Sequence, residues 1–140
     1  MFWKRITVAN HERVVLVKNG RFRSILTPGE YRIFTLPGVS LEIERHYIHR
    51  LVFQSRWADY LLAERPEIAE RYFVRVETNH VQVALIYIDG KLHSVLTPAR
   101  RLLFWRGSFE IKAEMVEVIA EPELSSSEID ALESMTGLSI

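Results

Sequence analysis

The sequence contains one segment twice, and this internal repeat limits the fold more than any other feature. Residues 14–34 and 84–104 align without a gap, and six of the 21 aligned positions are identical. Each copy carries a dipeptide, Asn19-Gly20 or Asp89-Gly90, between two apolar runs. Such dipeptides favour a tight β-hairpin, because its type I′ turn requires positive φ at both central residues. The repeat therefore predicts two β-hairpins of the same design.

Further strands are expected after each hairpin. The next turn contains Pro28 and Gly29 in the first copy and Pro98 in the second. Proline fixes φ in such a turn, and glycine accepts positive φ. Alternation of apolar and polar residues then predicts two more strands in each copy. The expected strands are 13–18, 21–26, 30–36 and 39–48, then 83–88, 91–96, 101–105 and 108–119. We therefore expect a mainly β (α+β) protein with two homologous antiparallel four-stranded β units, each a meander.

Helical patterns occupy the remaining parts of the chain. Between the copies, Ser55 is suited to cap a helix that Pro66 ends, and Pro66 can open a second short helix. After the second copy, Ser125 and Glu128 form a capping box, and Gly137 is suited to end a C-terminal helix. The predicted organisation is a first β repeat at 1–50, a helical connector at 51–73, a second β repeat at 74–121 and a C-terminal helical tail at 122–140. Because residues 138–140 carry no closing signal, we expect the natural polypeptide to continue beyond them.

The composition restricts the classes of function. Hydrophobic residues make up 48% of the 140 residues, which is enough for a folded core. Eighteen Lys and Arg balance eighteen Asp and Glu, and this total predicts no global field that attracts nucleic acid or an anionic membrane. The sequence has no cysteine, which excludes disulfides, thiol catalysis and cysteine-ligated metal sites. It also has no uncharged apolar run of about 18 residues, the length that a membrane-spanning helix needs.

The residues around the first hairpin form a longer motif. Residues 11–31 follow the pattern H-E-R-x-x-L-x-x-x-G-R-F-x-x-x-L-x-P-G-x-Y, which resembles the start of bacterial slipins, of the stomatin-like, band-7 or SPFH group. In that family an opening strand leads to a hairpin and then to a Gly-Pro-Gly-like turn, and some members carry such units in tandem. The second copy keeps the form V-A-L-x-Y-x-D-G-K-L but has Pro98-Ala99 in place of Pro-Gly. The resemblance covers residues 6–119 and implies the N-terminal tandem-repeat region of a slipin.

The resemblance implies a function without catalysis. We expect an assembly or protein-interaction module of a membrane-associated scaffold, with no cofactor, which binds copies of itself or membrane proteins. Its expected location is the cytoplasm, peripheral to the inner face of the cell membrane. Aromatic residues beside basic ones are typical of membrane interfaces. The candidate interface or lipid contacts are Phe2, Trp3, Lys4 and Arg5. The alternative for Phe2 and Trp3 is that they pack where the first strand begins.

A second class of function stays open on the same sequence. Small β modules bind nucleic acid by stacking bases on sheet aromatics beside basic residues. The alternative function is thus that of a small ligand- or nucleic-acid-binding β protein, whose candidate basic face consists of Arg21, Arg23, Arg100 and Arg101, with aromatic residues among them. The alternative is a solvated outer face over an aromatic core, and the net charge of zero favours this alternative. Nucleic acid is therefore not the expected partner.

The histidines are the remaining candidates for chemistry. His46 and His49 lie three apart, which on a strand places them on opposite faces. His11 and His80 precede the two hairpins at nearly equivalent positions, and they would share a metal if the copies packed around a pseudo-twofold axis. The more common role of such histidines is an exposed polar residue at the end of a strand. We therefore expect neither a metal site nor catalytic residues.

Overall fold

Two similar β units make up residues 2–118, the part of the chain that the computed structural model describes. The first unit ends at Trp57 and the second begins at Ala58. The first unit contains β1 (Phe2–Val8), β2 (Glu12–Lys18), β3 (Arg21–Leu26), β4 (Gly29–Thr35) and β5 (Leu41–Tyr47). The second contains α1 (Ala58–Glu64), α2 (Pro66–Tyr72), β6 (Phe73–Glu77), β7 (Gln82–Ile88), β8 (Lys91–Leu96), β9 (Arg101–Trp105) and β10 (Ile111–Glu117). The mainly β class with two similar units is confirmed.

Each unit combines a three-stranded antiparallel sheet with a two-stranded antiparallel ribbon. The sheet has the order β3-β2-β5 in the first unit and β8-β7-β10 in the second, and the ribbons pair β1 with β4 and β6 with β9. The prediction of four-stranded meanders is wrong, because each unit has five strands. The strand that follows the hairpin, β4 or β9, does not pair with the hairpin but with the first strand of its unit, β1 or β6. Pro28 has no N–H to continue the ladder, and Gly29 has φ +151°. The chain therefore turns out of the sheet, and β4 pairs with β1.

The predicted hairpins are present in both units. β2 pairs with β3 and β7 pairs with β8, in each case through a two-residue turn. The turn residues have positive φ, with +52° and +74° at Asn19 and Gly20 and +50° and +81° at Asp89 and Gly90. Positive φ at both central positions is the property that the type I′ turn requires. The prediction from these dipeptides is confirmed.

The first residue of each turn also joins the hairpin to the third strand of its sheet. The N–H of Asn19 donates to the carbonyl oxygen of Ser40 at 2.8 Å, and the N–H of Ser40 donates to Oδ1 of Asn19 at 2.9 Å. Asp89 and Glu110 form the same two bonds, also at 2.8 and 2.9 Å. The turn side chain thus connects strands that are distant in sequence.

The core of the first unit lies between the ribbon and the sheet. Ile6 and Val8 of β1 pack against Val14, Leu16 and Leu26 of the hairpin. All five side chains are buried, and successive residues of β1 alternate between this core and the opposite face of the ribbon. Because of this alternation, Trp3 and Arg5 of β1 lie on the face of the ribbon that is opposite the core.

The two predicted helices between the copies are present. The N–H of Trp57 donates to Oγ of Ser55 at 3.1 Å just before α1, and Pro66 is the first residue of α2. Proline suits this position, because the first helical N–H has no partner within the helix. Each helix buries one small or apolar residue, Leu61 in α1 and Ala69 in α2. The predicted C-terminal helix lies outside the described residues.

An exposed ion pair stands at the start of α2. Nε of Arg65 donates to Oε1 of Glu67 at 2.7 Å. This hydrogen bond lowers the pKa of Glu67 and raises the pKa of Arg65. Glu67 also lies in the first turn of the helix, where a negative charge is favoured.

Candidate functional site

The outer face of the first ribbon carries an exposed aromatic pair beside two arginines. In the register of β1 and β4, Trp3 pairs with Phe34 and Arg5 pairs with Arg32. All four lie on the side of the ribbon opposite Ile6, because side chains alternate along a strand. The side chains of Trp3 and Phe34 are 72% and 45% exposed, and their ring centroids are 5.1 Å apart. We call these four residues the ribbon face.

Positive charge surrounds the aromatic pair. Nη2 of Arg5 donates to Oε1 of Glu30 at 2.9 Å, and this pair is more than half exposed, so it is weak. Within residues 2–118, Lys4 and Arg32 have no carboxylate partner. Trp3, Lys4, Arg5 and Arg32 together line a depression of about 310 Å³. Arg32 is therefore available to a ligand on the ribbon face itself, and Lys4, which lies on the Ile6 side of β1 by alternation, also lines the depression.

The equivalent face of the second ribbon is largely covered, since Phe104 and Val76 are buried and Val74 and Leu102 are half-buried. Phe104 occupies the position of Phe34 in the repeat, but its side chain is only 1% exposed. Val74 pairs with Phe104 as Trp3 pairs with Phe34, and the next residue on that face, Val76, is 3% exposed. The ribbon face is therefore a property of the first unit and does not follow from the repeated fold.

The other predicted interface residue, Phe2, begins β1, but its side chain lies outside the description. Arg21 and Arg23 are exposed at the start of β3, and neither has a carboxylate partner in the part of the chain that the structure describes. Arg101 belongs to the second unit and forms an ion pair with Asp59. The candidate basic face is thus divided between the two units.

Arg100 takes part in a local hydrogen-bond network of the second unit. Its N–H donates to Oγ1 of Thr78 at 3.0 Å, and its carbonyl oxygen accepts from the N–H of Thr78 at 2.9 Å. The Thr78 hydroxyl in turn donates to the carbonyl oxygen of Thr97 at 2.6 Å. The backbone of Arg100 therefore fixes the turn before β9, a structural role that the sequence did not indicate.

Charge is distributed unevenly along the chain, although the total is zero. Residues 1–57 contain ten Lys and Arg but only four Glu and no Asp, which gives a formal charge of +6. Residues 58–140 contain eight Lys and Arg and fourteen Asp and Glu, which gives −6. The total of zero therefore hides a positive first unit, which can attract an anionic partner although the chain as a whole has no net charge. The charge of each part of the chain, counted separately, was the available signal.

The three histidines of the first unit comprise one neighbouring pair, His11 and His49, and one residue with a different partner, His46. Nε2 of His46 lies 2.5 Å from Oε1 of Glu44. His49 lies beside His11, with ring centroids 6.3 Å apart, and both rings are 5.9 Å from the ring of Tyr47. Within residues 2–118 no group of three or more His, Asp or Glu is arranged to hold a metal ion. The alternative of a metal shared by His11 and His80 stays a hypothesis, and the absence of a metal site stays the prediction.

Comparisons with protein-family models, with curated proteins and with solved structures find no match to this chain. The resemblance to slipins therefore stays a prediction. In the described part of the chain, none of the helices has the length and apolar character needed to cross a membrane. The function has to be inferred from the surface of the chain itself.

Proposed function

We propose that this chain is a non-catalytic interaction module of the slipin-like kind that acts at a membrane surface, with the ribbon face as its lipid contact. The observation that carries this proposal is the exposed pair of Trp3 and Phe34 beside Lys4 and Arg32. Indole and phenyl rings favour the boundary between headgroups and acyl chains, and cations favour anionic headgroups. The formal charge of +6 on residues 1–57 favours the same surface.

The expected affinity of one module is low. Insertion of the exposed parts of Trp3 and Phe34 contributes about 2–3 kcal/mol by apolar burial. Lys4 and Arg32 add about 1 kcal/mol each at an anionic surface. The sum of about 5 kcal/mol corresponds to a dissociation constant near 0.2 mM. Firm attachment therefore requires several modules on one membrane, because linked sites bind far more tightly than single ones.

Self-association is the second part of the proposal. In the described residues, the sheet of the first unit ends in β3 and β5, each paired on one side only. Such edges offer backbone groups to a second chain, as in other strand-addition interfaces. We infer an assembly of modules in the cytoplasm, attached to the inner face of the cell membrane. The resemblance to slipins supports this location and the scaffold role.

Co-sedimentation with vesicles tests the membrane contact. The chain is mixed with phosphatidylcholine vesicles and with vesicles that also contain phosphatidylglycerol. We expect binding to the anionic vesicles, a decrease with salt, and a loss of about 30-fold or more in the Trp3→Ala/Phe34→Ala variant. Leu92→Ala is the matched control, since Leu92 is 42% exposed in the second unit. Equal binding of the double variant and the control would reject the ribbon face.

A nucleic-acid-binding function keeps one observation in its favour. Arg21 and Arg23 are exposed on the positively charged first unit, without carboxylate partners in residues 2–118. Titration of a single-stranded RNA in low salt separates the two functions. Tight, salt-dependent RNA binding that Arg21→Ser/Arg23→Ser removes, together with no vesicle binding, would favour this alternative.

A further inference from the structure

A groove opens at the end of the first unit, where the ribbon meets the sheet. Its volume is about 290 Å³. Leu16 and Leu41 contribute from the sheet, Ile33 from β4, and Leu36 and Val39 from the turn that follows. A mostly apolar lining with a few polar groups is typical of small-molecule sites, whose volumes begin near 300 Å³.

Two cations stand at the rim of this groove. Lys18 ends β2 on the same face as Leu16, and its side chain is exposed. In the pairing of β2 with β3, Leu16 pairs with Ser24 and Val17 pairs with Phe22, so Arg23 is the extra residue of a β-bulge. Such bulges redirect a side chain, and Arg23 lines the groove together with Lys18. Neither cation has a carboxylate partner in the described ranges.

The second copy of the repeat has the same bulge but different side chains. The register of β7 and β8 shifts after Ile86. At the positions of Lys18 and Arg23 the second copy has Ile88 and His93, without permanent charge. At the position of Thr35, which lines the groove, it has Trp105, a large side chain that is 1% exposed. The two cations and the small residue are therefore features of the first copy.

We propose that this groove binds one acyl chain of an anionic membrane lipid, with the headgroup phosphate held by Lys18 and Arg23. The proposal rests on the proposed membrane function and names the lipid that the first unit takes. An anionic amphiphile matches both parts of the site, the apolar walls and the rim of two cations. A small anion would leave the walls of Leu16, Ile33 and Leu41 uncovered, and a neutral amphiphile would leave the cations without a partner.

Dodecyl phosphate, used below its micelle concentration, tests the groove without a bilayer. Calorimetric titration of the full chain is expected to show one saturable site. The Lys18→Ile/Arg23→His variant introduces the residues of the second copy and is expected to weaken binding by about tenfold or more, because charge-assisted bonds to phosphate are lost. Thr35→Trp is expected to abolish binding by filling the groove. Lys91→Ile is the control, since it removes an exposed cation of the second hairpin and should leave binding unchanged.

Each outcome decides one part of the proposal. Equal affinity for dodecyl maltoside would overturn the role of the cations, and equal affinity for inorganic phosphate would overturn the role of the acyl chain. No saturable binding, or binding unaffected by either variant, would overturn the groove itself. If Thr35→Trp does not fold by circular dichroism, the Lys18→Ile/Arg23→His variant still decides, since both side chains are exposed. Because Phe34 also lines the groove and Trp3 does not, Trp3→Ala alone separates the two proposals. Vesicle binding that Trp3→Ala weakens would leave the membrane function standing even if the groove binds nothing. Binding of dodecyl phosphate in the groove without any vesicle binding would reject the membrane function and leave a groove for a free anionic amphiphile.

Discussion

One aromatic residue has two different roles in the two copies of the repeat. Phe34 and Phe104 are equivalent in sequence, but their side chains are 45% and 1% exposed. Phe104→Ala removes a fully buried ring, which costs about 3–5 kcal/mol in the free energy of unfolding. Phe34 buries about half of its side chain, so Phe34→Ala costs about 1 kcal/mol by the area it loses. We predict that the loss in the free energy of unfolding is severalfold larger for Phe104→Ala than for Phe34→Ala.

The assay measures the unfolding of each unit separately. Because Phe34 and Phe104 belong to different units, urea unfolding is monitored by resolved amide resonances of each unit, without the assumption of a single transition. The second test is vesicle binding of the folded variants. Phe34→Ala should weaken it, and Phe104→Ala should leave it unchanged in conditions where the protein is folded. Equal loss of stability in the two variants would refute the assignment of a surface role to Phe34.

Three further predictions concern the turns and the helical connector. Ala99 has φ +56°, a conformation that costs a residue with a Cβ about 1 kcal/mol, so Ala99→Gly should raise the melting temperature. Gly20→Ala should lower it, by conformation alone, because an added Cβ has no atom within 4 Å. The pKa of Glu67 is lowered in the folded chain, so its pairing stabilises the fold above the unfolded pKa and is lost as the pH falls through the folded value. Arg65→Ala should raise the pKa of Glu67 and reduce this pH dependence, which a carboxyl NMR titration measures.

The local parts of the fold could be predicted from the sequence. Asn19-Gly20 and Asp89-Gly90 determine the hairpins through backbone φ, and Pro66 separates two helices, because each effect acts over a few residues. The partner of β4 could not be predicted in the same way. Its apolar pattern indicates a strand, but the pattern is equally suited to the hairpin beside it and to β1, which precedes it by more than 20 residues.

The candidate site was predictable only in part. The composition of the first strand pointed to Trp3, Lys4 and Arg5, as the interfacial pattern requires. Phe34 and Arg32 joined them only through the register of β1 with β4, which no local pattern contains. The groove likewise depends on a bulge that redirects one side chain. Long-range register was the missing information in both cases.

The link between each hairpin turn and the third strand limits how the two copies can diverge. The first turn residue must accept positive φ and must also present a short side-chain oxygen to the N–H of Ser40 or Glu110. Glycine meets the first condition but has no acceptor, and most other residues fail the first. Asparagine and aspartate meet both, and their codons differ by a single nucleotide. The one difference between the copies at this position, Asn19 against Asp89, is therefore a change that a single mutation makes and that the fold tolerates in either direction.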